Sequence, residues 1–181
     1  MRPVLHAPDL ETKYCALGDE LALKDCVIEG YASLFGTKDQ GGDVVARGAY
    51  ASSLETSRHG VKMLWQHDPA RPIGVWDIVR EDARGLYVKG RILAEVQDGR
   101  EALALLEAGA IDGLSIGYRT VRADKAADGG RRLLELDLWE VSVVTFPMQP
   151  EARVQAADDA AQTDLAQDLA EAFAAARAML V

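Results

Sequence analysis

The chain has 181 residues, 49% hydrophobic and 27% charged, which fits one globular domain with a short appendage. Its 20 basic and 29 acidic residues leave a formal charge of −9 and a pI near 4.8, disfavouring a groove that must neutralise a nucleic-acid backbone. No apolar run reaches the roughly 18 to 20 residues of a membrane span and the N-terminal residues lack a signal-peptide core, so a soluble intracellular protein with no membrane partner is expected.

Residues 1–21 form a polar arm containing Pro3, Pro8 and Gly18, without sustained periodicity, and are expected to be flexible. Residues 22–154 alternate strand-like runs with short helical ones. Val27 to Phe35 reads as a strand, and the following "TKDQGGDVV" as a loop in which Gly41-Gly42 permits a tight turn. "GAYASSLETS" has the character of a short helix, and Val61 to Gln66 of a strand. After Pro72, "IGVWDIVRE" and "GLYVKGRIL" form a hairpin through "DARG". Trp65, Trp76 and Tyr87 alternate with polar residues here and read as core.

"DGREALALLEAGAIDG" places Ala102, Leu103, Leu105, Leu106 and Ala110 at helical spacing, with Gly109 near the C-terminal end. A strand from about Leu114 runs through "SIGYRTVRA", turns at "DKAADGG", and returns through "RRLLELDLWEVSVVTF" to Pro147 and Pro150. Many short strands with two helices define an α+β class, a small closed or nearly closed antiparallel β-barrel with flanking helices. Residues 155–181 form an alanine-rich helix or tail, with Leu165, Leu169, Phe173 and Leu180 near one face. From Glu151 onward six acids stand against two arginines, −4 of the −9.

Cys15 and Cys26 have no metal-ligand spacing and cannot build a disulfide framework. Three histidines in three contexts make no metal site. A serine nucleophile needs a base, a group that orients the base, and donors for the oxyanion. Among the bases, His6 lies in the arm and His59 in a turn-like stretch, leaving His67 at a strand end in "LWQHDP". A surface or capping role is the plainer reading of a lone histidine. Ser115 lies in "DGLSIGY", bracketed at ±2 by Gly113 and Gly117. Those positions share its sheet face, leaving open space for a substrate backbone unless they are ordinary bulge glycines. Glu140 sits between Trp139 and Val141. It is either a buried carboxylate that needs a partner or a solvent-facing residue alternating with inward neighbours.

"EGYASLFG...GDVVARGAY", "LWQHD", "DGLSIGY" and "LWEVSVVTFPMQPEA" together resemble the prohead proteases of tailed bacteriophages. These are capsid maturation serine proteases related in fold to herpesvirus assemblin, and the likeness covers about Val27 to Val154. The resemblance implies that Ser115 is the nucleophile, His67 the general base and Glu140 the third member. By position, Met148 or Gln149 is a candidate for the oxyanion N–H, whereas Pro147 and Pro150 have none to give. No metal or cofactor is implied. The implied partners are the major capsid protein with its scaffolding segment and the protease itself, by self-cleavage or as a dimer, inside procapsids in the bacterial cytoplasm. The alternative is an assembly module of the same fold that binds capsid protein without cutting it. Asp68 and Asp112 adjoin the proposed residues, but exposed acids at strand ends are common and neither is given a role.

Overall fold

The computed structural model describes residues 11–14, 26–56, 60–126, 129–147, 149 and 154–155. The alanine-rich tail from residue 156 onward lies outside them, as do His6, Cys15, His59 and Met148. The described elements are β1 (Glu11–Tyr14), β2 (Val27–Leu34), β3 (Val44–Val45), α1 (Ala51–Thr56), β4 (Lys62–Trp65) and β5 (Asp68–Glu81), followed by β6 (Gly85–Ile92), α2 (Gln97–Glu107), β7 (Gly113–Lys125), β8 (Arg131–Val144) and β9 (Val154–Gln155).

Among the described residues the strands make one sheet in the order β1-β7-β8-β4-β5-β6-β2-β9, with β3 also paired to β8. The sheet curls until Cα atoms of β2 and β7 approach within 8 Å, while no ladder joins those two strands among the described residues. The described residues therefore form a mostly-β curled sheet with two short helices. The expected antiparallel pattern holds along β7–β8 and β5–β6, but β3 and β4 both run parallel to β8. Parallel neighbours need a long crossover instead of a turn, so no local turn signal announces them. The arm also departs from expectation, since its residues Glu11–Tyr14 form β1 and pair with β7.

The core lies inside the curl, where Ile28, Tyr50, Met63, Leu86, Leu106, Ile116, Leu136, Val141 and Val143 form one buried cluster. Burying each large side chain of this kind stabilises the fold by about 1.5 to 3 kcal/mol. Trp65 belongs to that cluster, and Trp76 packs against it with its indole N–H donated to Val141 O at 3.1 Å. Helix α2 buries Ala102, Leu103 and Leu106, while Leu105 reaches solvent. The helix stops where Gly109 takes a φ of +65° and its N–H bonds Leu106 O at 3.0 Å, a left-handed ending that glycine adopts without a Cβ penalty. The β5–β6 hairpin is organised by Asp82, whose Oδ1 accepts the N–H groups of Arg84 (2.8 Å) and Gly85 (3.1 Å).

Candidate active site

Three neighbouring strands deliver the site. Along the β7–β8 ladder Ser115 pairs with Ser142 and Gly117 with Glu140. Cross-strand partners share a face, so all four positions lie opposite the core-facing Leu114, Ile116, Val141 and Val143. Strand β4 runs beside β8 with Lys62 at the level of Glu140 and Trp65 at that of Val143. The chain then reverses between Trp65 and Asp68, which pair across β4 and β5. Only Gln66 and His67 make that turn.

Both turn residues have positive φ, 53° for Gln66 and 61° for His67. Positive φ at both central positions is the pattern of a type I′ hairpin turn, which matches the twist of the strands it joins. Without glycine the conformation costs on the order of 1 to 3 kcal/mol per residue, so surrounding contacts must impose it. The Gln66 N–H donates to Val143 O (3.0 Å), its carboxamide Nε2 donates to Thr145 Oγ1 (2.6 Å), and the His67 N–H donates to Ser142 Oγ (3.2 Å). These bonds clamp the turn onto the end of β8. The sequence placed His67 at the start of a loop; the structure places it in the tightest reversal of a hairpin.

Held this way, the imidazole bridges the two other predicted residues. Nε2 lies 2.7 Å from Ser115 Oγ, and Nδ1 lies 2.5 Å from Glu140 Oε1. The second carboxylate oxygen, Oε2, accepts the Ser142 hydroxyl at 2.5 Å. As a carboxylate Glu140 only accepts, so Nδ1 carries the proton, leaving the Nε2 lone pair for the Ser115 O–H. Ser115 is 0% exposed and Glu140 7%, whereas Trp139 is 41% exposed. The inward–outward alternation considered for Trp139 and Glu140 is thus reversed. Its cause is a bulge in β8: the register passes from Gly117↔Glu140 to Tyr118↔Leu138, leaving Trp139 as the extra residue. The bulge lets Leu136 and Leu138 below it, and Val141 and Val143 above it, all reach the core, while Glu140 turns to the opposite face.

Gly117 needs a correction. The sequence reading left the space over it to a substrate, yet a Cβ built there would collide with Glu140 Oε1. The glycine makes room for the carboxylate. Gly113 is buried and pairs with Val144. Of the two oxyanion candidates, Met148 lies outside the described residues. Gln149 is buried, and its carboxamide is spent on the end of β2 and the residues after it: Oε1 accepts the Leu34 N–H (2.8 Å), and Nε2 donates to Leu34 O (3.1 Å) and Thr37 O (3.0 Å). Asp68 accepts the Ala70 N–H at 2.9 Å, a local turn contact. Sequence reasoning missed Ser142 and Gln66. The first was legible, because it stands two residues after Glu140 and so shares its face; the second depended on a turn that no glycine marks.

A serine, an imidazole and a carboxylate bonded in series on a rigid sheet form an arrangement competent for acyl transfer. The chain belongs to the caudovirus prohead serine protease family, whose model matches residues 16–166. It is 32% identical over 136 residues to the prohead protease of Enterobacteria phage HK97, an alignment covering 74% of this chain and 60% of that protein. The chain therefore spans about three fifths of that relative's length. It is also 28% identical over 101 residues to the capsid polyprotein of Pseudomonas phage PAJU2, covering 52% of this chain and 15% of the polyprotein. The structure of the bacteriophage T4 capsid assembly protease, gp21, superposes with a TM-score of 0.60 at 15% identity, covering 76% of this chain and 98% of that one. That likeness is one of fold.

Proposed function

We propose that this protein is the serine endopeptidase of a phage-type head, cutting the scaffolding segment from a major capsid protein, and itself, within the assembling procapsid in the host cytoplasm. The observation that carries the reading is the unbroken series Ser115 Oγ, His67 Nε2, His67 Nδ1 and Glu140 Oε1, with links of 2.7 and 2.5 Å. Family membership supplies the setting.

In this mechanism Ser115 Oγ attacks the scissile carbonyl while His67 Nε2 takes its proton. The carbonyl oxygen becomes an oxyanion, held by backbone N–H groups from the loop after β8 that contains Met148 and Gln149. Glu140 stabilises the imidazolium through Nδ1–H. The C–N bond then breaks as Nε2 returns the proton to the leaving amine, and the acyl group remains on Ser115. A water molecule, deprotonated by His67, releases it by the reverse sequence. Gly113 borders the approach of the peptide. The mechanism calls on no metal or cofactor.

Co-expression with the major capsid protein tests the reading. Intact mass is expected to show an N-terminally shortened capsid protein with the wild type and a full-length one with Ser115→Ala or His67→Ala. Full-length capsid protein in every case, co-assembled with the wild-type chain, would mean an assembly module instead.

A further inference from the structure

The strand beside the nucleophile comes from the N-terminal arm. β1 pairs antiparallel with β7 in the register Glu11↔Tyr118, Thr12↔Gly117, Lys13↔Ile116 and Tyr14↔Ser115. On its other side β7 is bonded to β8, with Ser142 opposite Ser115. The outer edge of β7 is thus a main-chain track that starts at the nucleophile, and the rest of the described sheet does not use it. Ser115 meanwhile has no exposed surface, although a peptide carbonyl must come within bonding distance of its Oγ. An extended peptide is readily bound by adding a strand to such an edge, which satisfies its N–H and C=O groups whatever its sequence.

We infer that the outer edge of β7 is the track on which an extended peptide substrate is laid as an antiparallel strand, and that Glu11–Tyr14 occupies it intramolecularly to hold the enzyme shut. The inference rests on the protease reading of Ser115. A tethered segment competes at an effective concentration on the order of millimolar, so a free peptide displaces it only when comparably concentrated. A chain built this way is quiet in dilute solution and opens where substrate segments are packed around it. A four-residue edge strand suits the task, since it adds few ladder bonds.

The test compares the full-length wild type with the full-length Thr12→Pro/Lys13→Pro variant. Neighbouring residues of an antiparallel strand alternate in facing the partner, so two adjacent prolines remove at least one ladder N–H from β1. By hydrogen exchange, the amides of β1 that face β7, every second one along the strand, are expected to be protected at least tenfold in the wild type. In the variant whichever of the Glu11 and Tyr14 amides faces β7 should lose its protection, and the β1-facing amides of residues 115–118 should exchange faster. A small fluorophosphonate is expected to label Ser115 at least tenfold faster in the variant. Unprotected arm amides in the wild type overturn the inference. So do equal labelling rates in the two chains once exchange shows the arm released. If the arm is protected and released as expected but neither chain takes label at Ser115, the nucleophile assignment has failed and the inhibitory role falls with it, while the pairing of β1 stands.

Discussion

Gly117 lies directly across the β7–β8 ladder from Glu140, and the Glu140 carboxylate occupies the space a side chain at position 117 would fill. A methyl group there must push aside the carboxylate or the backbone. Gly117→Ala is therefore expected to fold, with a loss of about 1 to 3 kcal/mol for overpacking. Its kcat should fall about 100-fold, as when a catalytic group is displaced by an ångström. Cleavage of a fluorogenic peptide, alongside a urea unfolding curve, separates the two effects. Wild-type turnover in Gly117→Ala would show that Glu140 does not need its present position.

Ser142 anchors both His67, through its backbone N–H, and Glu140, through Oε2. Ser142→Ala leaves the buried Glu140 carboxylate and the half-buried His67 N–H without this partner, at about 1 to 3 kcal/mol for the buried group and less for the other. The expected result is lower kcat with little change in KM, and a shifted acid limb in the pH–rate profile. Ser142→Thr keeps the hydroxyl and is expected to restore much of the rate. Loss of stability with an unchanged pH profile would leave Ser142 a packing residue only.

Glu140→Gln keeps the shape but offers a donor or a carbonyl where the imidazole needs a charged acceptor. By analogy with the handicap of a wrong tautomer in a Ser-His-Asp protease, kcat is expected to drop about 10⁴-fold. Single-turnover acylation measures this directly. A drop below tenfold would make Glu140 a spectator.

The Asp82 turn predicts an acid sensitivity. Burial works against its ionisation, but the Tyr31 hydroxyl, the N–H groups of Arg84 and Gly85 and the charge of Arg80 outweigh that, holding the carboxyl below its ordinary value of 3.8. The same contact, with burial first among the causes, pushes the Tyr31 hydroxyl up to about 12. A lowered folded value means that the carboxylate stabilises the fold above its unfolded value and loses that contribution as pH falls through the lower folded one. The urea midpoint gap between wild type and Asp82→Asn is thus expected to be full near neutrality and to narrow below about pH 3.8. A gap independent of pH would count against the ionic origin.

Gln149→Ala removes three hydrogen bonds to Leu34 and Thr37 and should loosen the loop that follows β8. Each buried group left unsatisfied costs about 1 to 3 kcal/mol, and for a chain this size each kcal/mol lowers Tm by about 2 to 4 °C. A thermal melt unchanged from wild type would contradict the staple.

That Ser115, His67 and Glu140 meet in space was legible only through motifs that occur together in one order, since no one of the three stands out by its own context. The antiparallel strands were legible for a different reason, as period-two patterning with glycine- and aspartate-marked turns survives in a single sequence. The Gln66–His67 turn was not, since neither residue type advertises positive φ. Nor was the bulge at Trp139, which inverts the very alternation used to weigh Glu140. Strand β1 escaped notice because four residues carry too little periodicity, and the parallel seating of β4 on β8 has no local signature at all.

That parallel seating has a consequence for timing. The His67 N–H reaches Ser142 across 75 positions of chain, and Nε2 reaches Ser115 across 48, whereas β7 and β8 are neighbours in sequence. Closing the longer loops costs more entropy and comes after local pairing. A nascent chain can thus zip its serine and glutamate strands together while still lacking its base. The Ser115–His67–Glu140 series is completed at the end of folding, so that under the proposed function the chain could cut only once it is itself no longer an easy target.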